Sequence, residues 1–265
     1  MIKNNILLLV ENLELVAKLN GSKNITFLFP IEEFTVGYQK TFKVEELPEN
    51  SYIFINRILD NEGILKLKEL LKNVPKTIKG IMFDDIGVLQ LLIENHIELE
   101  SILFLNHMNC NYKSINAYLE YVNSAVVSPD ITFEEIDEIL ENVNKPVVLY
   151  TFGYMNIMYS RRNLLSNYNR YFNESLPSTV MLEETSSKKQ LKMVENKYGT
   201  VVYTNSPFNG LELLNRKKNV LYHFINTVFL SNEEVINILT NPAKVKYDYT
   251  YLSKERTIFK LKEGE

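Results

Sequence analysis

The sequence is short of the residues that build metal clusters and disulfides. Its 265 residues contain one cysteine, Cys110, and three histidines, His96, His107 and His223. A single thiol excludes an intrachain disulfide, and structural zinc and iron–sulfur sites need several thiolate or imidazole ligands. We therefore expect no iron–sulfur cluster, no zinc and no other cofactor. A reducing, cytoplasmic location fits the scarcity of cysteine.

Long apolar runs are also missing. The N-terminal segment reads MIKNNILLLVENLELVAKL, and its five-residue apolar run ends at Glu11. A signal peptide has a longer apolar core, and a membrane-spanning helix needs about 20 apolar residues. The sequence therefore predicts a soluble intracellular protein that does not engage a membrane.

Positive charge is not in excess, because the formal net charge is −4 and the isoelectric point is about 5.6. A globally basic field that would attract nucleic acid is thereby excluded, so RNA binding would require a local patch or a partner. What the chain does have is apolar content, at 45% of its residues. This is enough to bury the core of one α/β barrel or of two small domains, and we favour one barrel.

Short apolar runs alternate with helical patterns along most of the chain. The predicted strands are residues 6–10, 25–29, 51–56, 78–83, 102–105, 125–127, 146–150 and 219–225. Residues 30–50 lack periodicity and predict a long irregular connection. The alternation predicts an α/β fold, a single (β/α) TIM-barrel-like domain over residues 1–240, with allowance for an incomplete or distorted ring. Residues 241–265 are predicted to be a strand-like tail packed on the barrel.

Polar residues or glycine follow several of these strands, where barrel enzymes carry their sites. We expect five of them to lie together at one end of the barrel: Asn56, Asp85, Asn106, Ser128 and Gly153.

Two adjacent carboxylates, Asp84 and Asp85, end the strand at residues 78–83. They could act as acid and base, or bind magnesium, which prefers oxygen ligands. The alternative, which we favour, is that one of them caps the following helix.

His107 and Cys110 lie three residues apart in the loop after the next strand. This spacing is compatible with half of a metal site or with a thiol and its base. No second ligand pair exists in the sequence, so ordinary loop packing is the favoured interpretation. Further along, Thr132 and Glu135 have the spacing of a capping box.

Residues 145–171 read KPVVLYTFGYMNIMYSRRNLLSNYNRY and concentrate polar side chains more densely than any other stretch. The buried run predicts a strand, and we expect a loop after it that carries Tyr159, Arg161 and Arg162. Two adjacent arginines are more often a solvated or carboxylate-paired corner than an anion clamp. Burying such groups without partners is costly, so a polar ligand or a subunit is the functional alternative.

The order of several segments resembles the collagenase-like peptidases, family thirty-two of the peptidases of unknown mechanism. The segments are FINRILDNEG, GIMFDDIGVLQLL, LNHMNCNYKSINAYL, VVSPDITFEEI and VVLYTFGYMNIMYSRRNLLSNY, and they cover residues 51–171. The resemblance implies a barrel-like α/β fold in a family of peptidases and of proteins of RNA and quinone hydroxylation. The residues at family-like positions are Asn56, Asp85, Gly87, Ser128, Gly153, Tyr159, Ser160, Arg162, Leu165 and Ser166.

The chain departs from the family pattern at the positions that carry chemistry. Phe152 stands where the signature loop has a histidine, and Asn156 and Asn163 stand where it has cysteines. The cysteines that hold an iron–sulfur cluster in several members are absent. Any reaction of the family would therefore have to use other groups.

Two functions follow from the resemblance. The first is a peptidase or hydrolase with Asp85, Tyr159 and Arg162 as its catalytic residues and no metal. Its predicted substrate-binding residues are Asn56, Asn106, Ser128, Asp130, Gly153, Arg161 and Ser166. The second is a non-catalytic companion that presents the arginine loop to a family paralogue, as a heterodimer in RNA (uridine) hydroxylation or a related pathway. An RNA or a peptide is the expected ligand.

Overall fold

The fold was examined in a computed structural model that describes residues 2–183, 185, 188 and 190–245. The strands, in chain order, are β1 Ile6–Leu9, β2 Ile25–Pro30, β3 Tyr52–Ile55, β4 Gly80–Phe83, β5 Glu100–Leu103, β6 Ser124–Val127, β7 Val147–Gly153, β8 Asn156–Ser160, β9 Thr179–Glu183, β10 Gln190–Asn196, β11 Gly199–Tyr203, β12 Phe208–Asn209 and β13 Val220–Asn226. The α-helices are α1 Leu13–Leu19, α2 Asn61–Lys72, α3 Ile86–Glu94, α4 Tyr112–Leu119, α5 Phe133–Asn142, α6 Leu164–Phe172 and α7 Asn232–Thr240. Three short 3-10 helices cover Val44–Glu46, Leu211–Asn215 and Pro242–Lys244.

Eight parallel strands close into a ring. Strands β1 to β7 pair in sequence order, and β13 pairs with both β7 and β1. The short strand β12 lies outside the ring and pairs antiparallel with β7. The predicted TIM-barrel-like fold is therefore confirmed.

Buried apolar runs explain the strands. Every residue of β1, β3, β4, β6 and β7 is buried, as parallel strands covered on both faces require. Local caps explain where helices begin: the predicted capping box of Thr132 and Glu135 starts α5, and a second box of Ser231 and Glu234 starts α7. Asp60 caps α2, since its side chain accepts from Gly63 N.

The irregular connection predicted for residues 30–50 is present and lies over the C-terminal end of the barrel. Its Tyr38 packs edge-on against Phe54 of β3, with ring centroids 5.7 Å apart. Below it, Phe104, Tyr150 and Phe224 form an aromatic layer inside the ring, and the Tyr150 and Phe224 centroids are 5.2 Å apart. The barrel interior is therefore packed with side chains.

Between β7 and β13 the chain leaves the ring and forms a second sheet, in the order β8-β11-β10-β9, with α6 beside it. We call residues 156–203 the insert. The prediction of a loop after the strand at residues 146–150 is wrong for residues 151–153, which continue β7, and for residues 156–160, which form β8 and pair with β11, some 40 residues later in the chain. The insert has its own small core of Leu165, Met193 and Val202.

The helix α7 ends at Thr240, and the chain continues through Pro242–Lys244. The strand-like tail predicted for residues 241–265 lies, beyond residue 245, outside the described residues.

Candidate functional site

The predicted site residues of the barrel gather at the C-terminal ends of its strands. The side chains in question are Asn56 after β3, Asp84 and Asp85 after β4, Asn106 and His107 after β5, Ser128 and Asp130 after β6, and Gly153 at the end of β7. The topology thus confirms that these residues share one end of the barrel, which we call the mouth.

Two of these side chains are engaged by backbone groups. Asn56 is buried, and its amide accepts from Val36 N at 2.9 Å and donates to Val36 O at 3.0 Å, which holds the irregular connection in place. Asp85 caps α3 by accepting from Gly87 N at 2.8 Å, and its second oxygen accepts from Leu59 N at 2.9 Å. The capping alternative for Asp85 is therefore what the geometry shows.

Ser128 and Gly153 also contact backbone groups. The Ser128 hydroxyl is buried and accepts from Asp130 N at 3.2 Å. Gly153 has φ of +132°, and a Cβ there would lie 2.3 Å from Asn226 O. Only glycine fits where β7 passes so close to β13.

Asp84 differs from these residues because one of its carboxyl oxygens has no partner. Its Oδ1 is buried and makes no hydrogen bond. Burial is the main reason that the pKa of Asp84 lies well above its ordinary value, and the charge of the adjacent Asp85 adds to the rise.

Two tyrosines of the mouth are buried. These are Tyr38 and Tyr203; the Tyr203 hydroxyl donates to Gly37 O at 2.8 Å, and burial raises the pKa of both phenols. Asp84 is a smaller contributor to the raised pKa values of these two phenols and of Tyr159 of β8, after burial. The Tyr159 hydroxyl itself is 3.5 Å from Tyr198 O, and burial raises its pKa as well.

The second polar cluster of the mouth is an imidazole–carboxylate pair. His107 Nδ1 contacts Asp130 Oδ2, and Nε2 donates to Asn156 O at 2.9 Å. The hydrogen bond to Asp130 is the main cause of the raised pKa of His107, against the opposing effect of burial. Asn106 Nδ2 donates to the same carbonyl at 2.8 Å, so the cluster ties the loop after β5 to β8.

Cys110 does not pair with the His107 ring. Its thiol donates to the backbone oxygen of His107 at 3.1 Å, and burial raises its pKa. A raised pKa disfavours the thiolate that a nucleophile or metal ligand requires. The loop-packing interpretation is the one that the geometry favours.

The remaining predicted residues lie on the insert. Arg161 forms an ion pair with Asp60 at 3.0 Å, whereas the exposed Arg162 side chain has no hydrogen bond or ion pair to any described residue. Ser166 donates its hydroxyl to Glu195, and the same carboxylate accepts from Leu165 N at 2.7 Å and Ser166 N at 3.0 Å. Glu195 thereby holds the start of α6.

The outer surface of the insert exposes apolar side chains. Tyr171 is 82% exposed and Phe172 57% exposed, and the Phe172 ring centroid lies 4.6 Å from that of Tyr168. Met158 lies opposite Val202 in the sheet, on the side that α6 covers, and the Asn169 side chain holds Leu176 against the helix. We call Met158, Tyr168, Tyr171, Phe172 and Leu176 the aromatic face.

A cleft of about 450 Å³ lies at the rim of the mouth, between the loops that follow β1 and β13. Glu11, Gln39, Lys40 and Phe229 are among its lining residues. Glu11 accepts from Gln39 N at 2.6 Å and Lys40 N at 3.1 Å. Burial is the main cause of its raised pKa.

Metal-binding clusters and membrane-spanning helices are absent from the part of the chain that the structure describes. There, no group of three or more histidine, cysteine, aspartate or glutamate side chains is arranged to hold a metal ion. In the same residues, no helix has the length and apolar character needed to cross a bilayer.

Comparison with known proteins places the chain in a family. Residues 29–175, more than half of the sequence, match the model of Peptidase family U32. The chain belongs to peptidase family U32. The resemblance deduced from the ordered segments is thereby confirmed, and the matched region contains the mouth residues from Asn56 to Gly153 and the start of the insert.

The fold is similar to that of the U32 peptidase Mk0906, with a TM-score of 0.53 and 12% identity over 85% of this chain and 93% of that one. A chitinase from Chromobacterium violaceum ATCC 12472 matches with a TM-score of 0.42 and 9% identity, over 91% of this chain and 100% of that one. At these identities the similarity to the U32 peptidase shows a shared fold alone. No curated protein matches the sequence.

Neither the His107–Asp130 pair nor the aromatic face was predicted from the sequence. The pair had no local signal, because its members are 23 residues apart. The aromatic face did have one: Tyr168, Tyr171 and Phe172 have the i, i+3, i+4 spacing of one helix side. The helical spacing was not recognised because a loop was predicted for the residues just before it.

Proposed function

We propose that the chain is a protein-binding member of family U32 that docks on a second, paralogous family member through the aromatic face. The observation that carries the proposal is the exposure of Tyr171 and Phe172, whose ring centroids are 4.8 Å apart and which continue through Phe172 to the exposed ring of Tyr168. Contiguous apolar surface exposed to water is typical of protein interaction sites. Aromatic residues are also the side chains that most often dominate binding energy at interfaces.

Charge indicates what the partner surface contains. Arg170 is exposed on α6 and Arg162 is exposed just before this helix, and Arg162 has no acidic partner among the described residues. An apolar surface bordered by carboxylates would complement them. The predicted heterodimer with a family paralogue meets this requirement if the paralogue carries such a surface. The single cysteine fits a cytoplasmic complex.

The hydrogen bonds that already engage the polar side chains of the mouth support a non-catalytic companion role. Asp85, Asn56 and Ser128 are bonded to backbone groups, and both ring nitrogens of His107 are engaged. Under this proposal the barrel serves as a scaffold, and its paralogue supplies the histidine and cysteines that this chain replaces.

The test is co-expression with a family U32 paralogue that retains the signature histidine and cysteines, followed by light scattering after size exclusion. We expect a stable heterodimer that Tyr171→Asp and Phe172→Asp each abolish and that Arg162→Glu weakens. Tyr121→Asp is the matched control, since Tyr121 is 61% exposed but follows α4 on the barrel. No heterodimer, a heterodimer indifferent to these changes, self-association through the same face, or binding of RNA alone would overturn the proposal.

The second candidate is hydrolysis of a peptide bond, the activity suggested by the family resemblance. The His107–Asp130 pair favours it, because a carboxylate-held imidazole at a barrel mouth is suited to proton transfer. Asp85, Tyr159 and Arg162 remain the predicted catalytic residues of this candidate, with Asn106, Asp130, Gly153, Arg161 and Ser166 among its predicted substrate contacts.

Incubation with a fluorogenic peptide library tests this candidate. Turnover that is lost in both Asp130→Asn and His107→Gln, with folding retained, would establish hydrolysis. Turnover that survives in both variants would be assigned to a contaminating enzyme.

A further inference from the structure

A cavity of about 260 Å³ lies at the N-terminal end of the barrel, where β1 and β13 begin. Lys3, Asn4 and Asn5 line it from the segment before β1, and Lys217 lines it together with the first residues of β13 and with His223. The parallel pairing of the two strands, in which Ile6 lies opposite His223, brings these segments side by side. We call this space the base cavity, and it lies at the opposite end of the barrel from the mouth.

Hydrogen bonds hold the wall of the base cavity in place. Asn4 Nδ2 donates to Leu214 O at 2.9 Å and lies 3.0 Å from His223 Nε2. Asn24 Nδ2 donates to the carbonyl oxygens of Ile2 and Asn4, at 2.7 and 2.9 Å. The segment before β1 is therefore fixed by bonds to the chain on either side of it.

The imidazole that lines the base cavity carries no charge at neutral pH. His223 is 2% exposed, and its Nδ1 lies 3.3 Å from Thr151 Oγ1. Burial lowers the pKa of His223 to about 4, so the ring is neutral near pH 7. The charge of the cavity is therefore set by its two lysines.

These two lysines have no counter-ion among the described residues. Lys3 and Lys217 are exposed, and neither forms an ion pair with a described carboxylate. None of the described residues that line the base cavity is acidic. By contrast, Lys79, which precedes β4 at the same end of the barrel, pairs with Glu100 at 3.6 Å. Two unpaired ammonium groups around one cavity favour an anionic ligand.

The size of the base cavity and its donors favour a compact anion. Pockets for drug-sized ligands have volumes of about 300–1,000 Å³, so a cavity of 260 Å³ suits something smaller. The Asn5 side chain is exposed and makes no hydrogen bond to a described residue, which adds an amide donor to the two ammonium groups. Phosphate has several acceptor oxygens in a small volume, and lysine is a common phosphate ligand.

We propose that the base cavity binds a phosphate group, as inorganic phosphate or as the end of a phosphomonoester, between Lys3 and Lys217. The two ammonium groups and the Asn5 amide donate to the phosphate oxygens, and the neutral ring of His223 lies at the wall. The site is at the far end of the barrel from the mouth, and it requires neither the aromatic face nor a partner chain.

The histidine ring signals in an NMR titration of the full chain, with no tag at its N-terminus, test the proposal. The chain has three histidines, and His223 alone lines the base cavity, since His96 follows α3 and His107 lies in the mouth. The probes are inorganic phosphate and ethyl phosphate at about pH 7.5, where both are mainly dianions. Sodium chloride keeps the ionic strength constant. We expect saturable shifts of the His223 signals and none at His96 or His107, and the probe that binds more tightly identifies the source of the phosphate.

Neighbouring lysines supply a matched pair of variants. Lys217→Gln should weaken phosphate binding about two- to fivefold, the usual size of one exposed charge pair, and the double variant with Lys3→Gln about tenfold. Lys218→Gln makes the same charge change one residue later and should leave binding unchanged. Lys218 lines a neighbouring cleft beside α5, which Lys217 also borders, but not the base cavity, so this control separates the two spaces.

Three results would overturn the proposal. They are the absence of a His223 shift at millimolar concentrations of either probe, equal shifts of all three histidines, and equal weakening by Lys217→Gln and Lys218→Gln. The lysines are exposed, so these variants should fold, and thermal unfolding verifies it. None of these results depends on a heterodimer, so this proposal and the proposed function fail separately.

Discussion

The barrel and the insert use apolar residues in opposite ways. In the barrel, rings such as Phe104, Tyr150 and Phe224 are buried inside the strands. In the insert, Leu165, Met193 and Val202 form a small separate core, while Tyr171 and Phe172 are exposed. Stability is therefore concentrated in the ring, and the exposed apolar surface that indicates binding is concentrated in the insert.

The largest expected effect contrasts one phenylalanine from each region. Phe224→Ala removes a ring from the aromatic layer and should lower the free energy of unfolding by about 3–5 kcal/mol, since the packed interior cannot refill the cavity. Phe172→Ala should change it by no more than about 0.5 kcal/mol, because its ring is largely exposed. Urea denaturation of both variants measures the difference. Similar losses in the two would contradict the division between core and binding surface.

The next largest effect is expected from removing Glu195, which holds α6 in the insert. Glu195→Ala leaves the first backbone N–H groups of α6 without their acceptor and should cost about 1–2 kcal/mol, as for loss of a helix cap. Glu195→Gln retains an acceptor and should cost less. Hydrogen exchange of α6 amides is the sharper measurement. Protection unchanged in Glu195→Ala would show that the small core alone holds the helix.

The same carboxylate predicts a pH dependence. Burial on its own would raise the pKa of Glu195, but hydrogen bonds from Ser166, Thr200 and Leu165 outweigh it and lower the pKa below the ordinary 4.5. A lowered folded-state pKa stabilises the protein above the unfolded value, and this contribution is lost as the pH falls through the folded value. Glu195→Gln should therefore flatten the loss of α6 protection below about pH 4.5. If α6 protection depended on pH in the same way in the unmodified protein and in Glu195→Gln, the Glu195 carboxylate would not be the cause.

The smallest expected effect concerns His107 in the barrel mouth. Its contribution to stability depends on pH in the opposite direction to that of Glu195. Its pKa is raised from 6.5, mainly by Asp130, so its contribution to stability is complete below that value and is lost as the pH rises through the folded-state pKa. The His107 side chain is 43% exposed, so the contribution should be under about 1 kcal/mol. An NMR titration should show a His107 pKa that Asp130→Asn lowers. An unchanged value would mean that the pair does not form in solution.

Local patterns in the sequence were enough to predict the barrel. The fully buried strands were visible as short apolar runs, and the box of Thr132 and Glu135 was visible because its members are three residues apart. The family followed from the order of segments between residues 51 and 171. Placement of the mouth residues followed as well, since parallel strands bring their C-terminal ends to one side.

Only the tertiary structure decided which groups meet. Asn156 lies 49 residues from His107, Glu195 30 residues from Leu165, and β11 some 40 residues from β8. No local periodicity encodes such contacts, because they depend on where the closed ring places the insert over the mouth. The cap that Asp85 provides is local, two residues from Gly87, whereas the burial of the neighbouring Asp84 with an unpartnered oxygen is decided by the tertiary structure. In the sequence the two are adjacent aspartates, and only burial and geometry distinguish them.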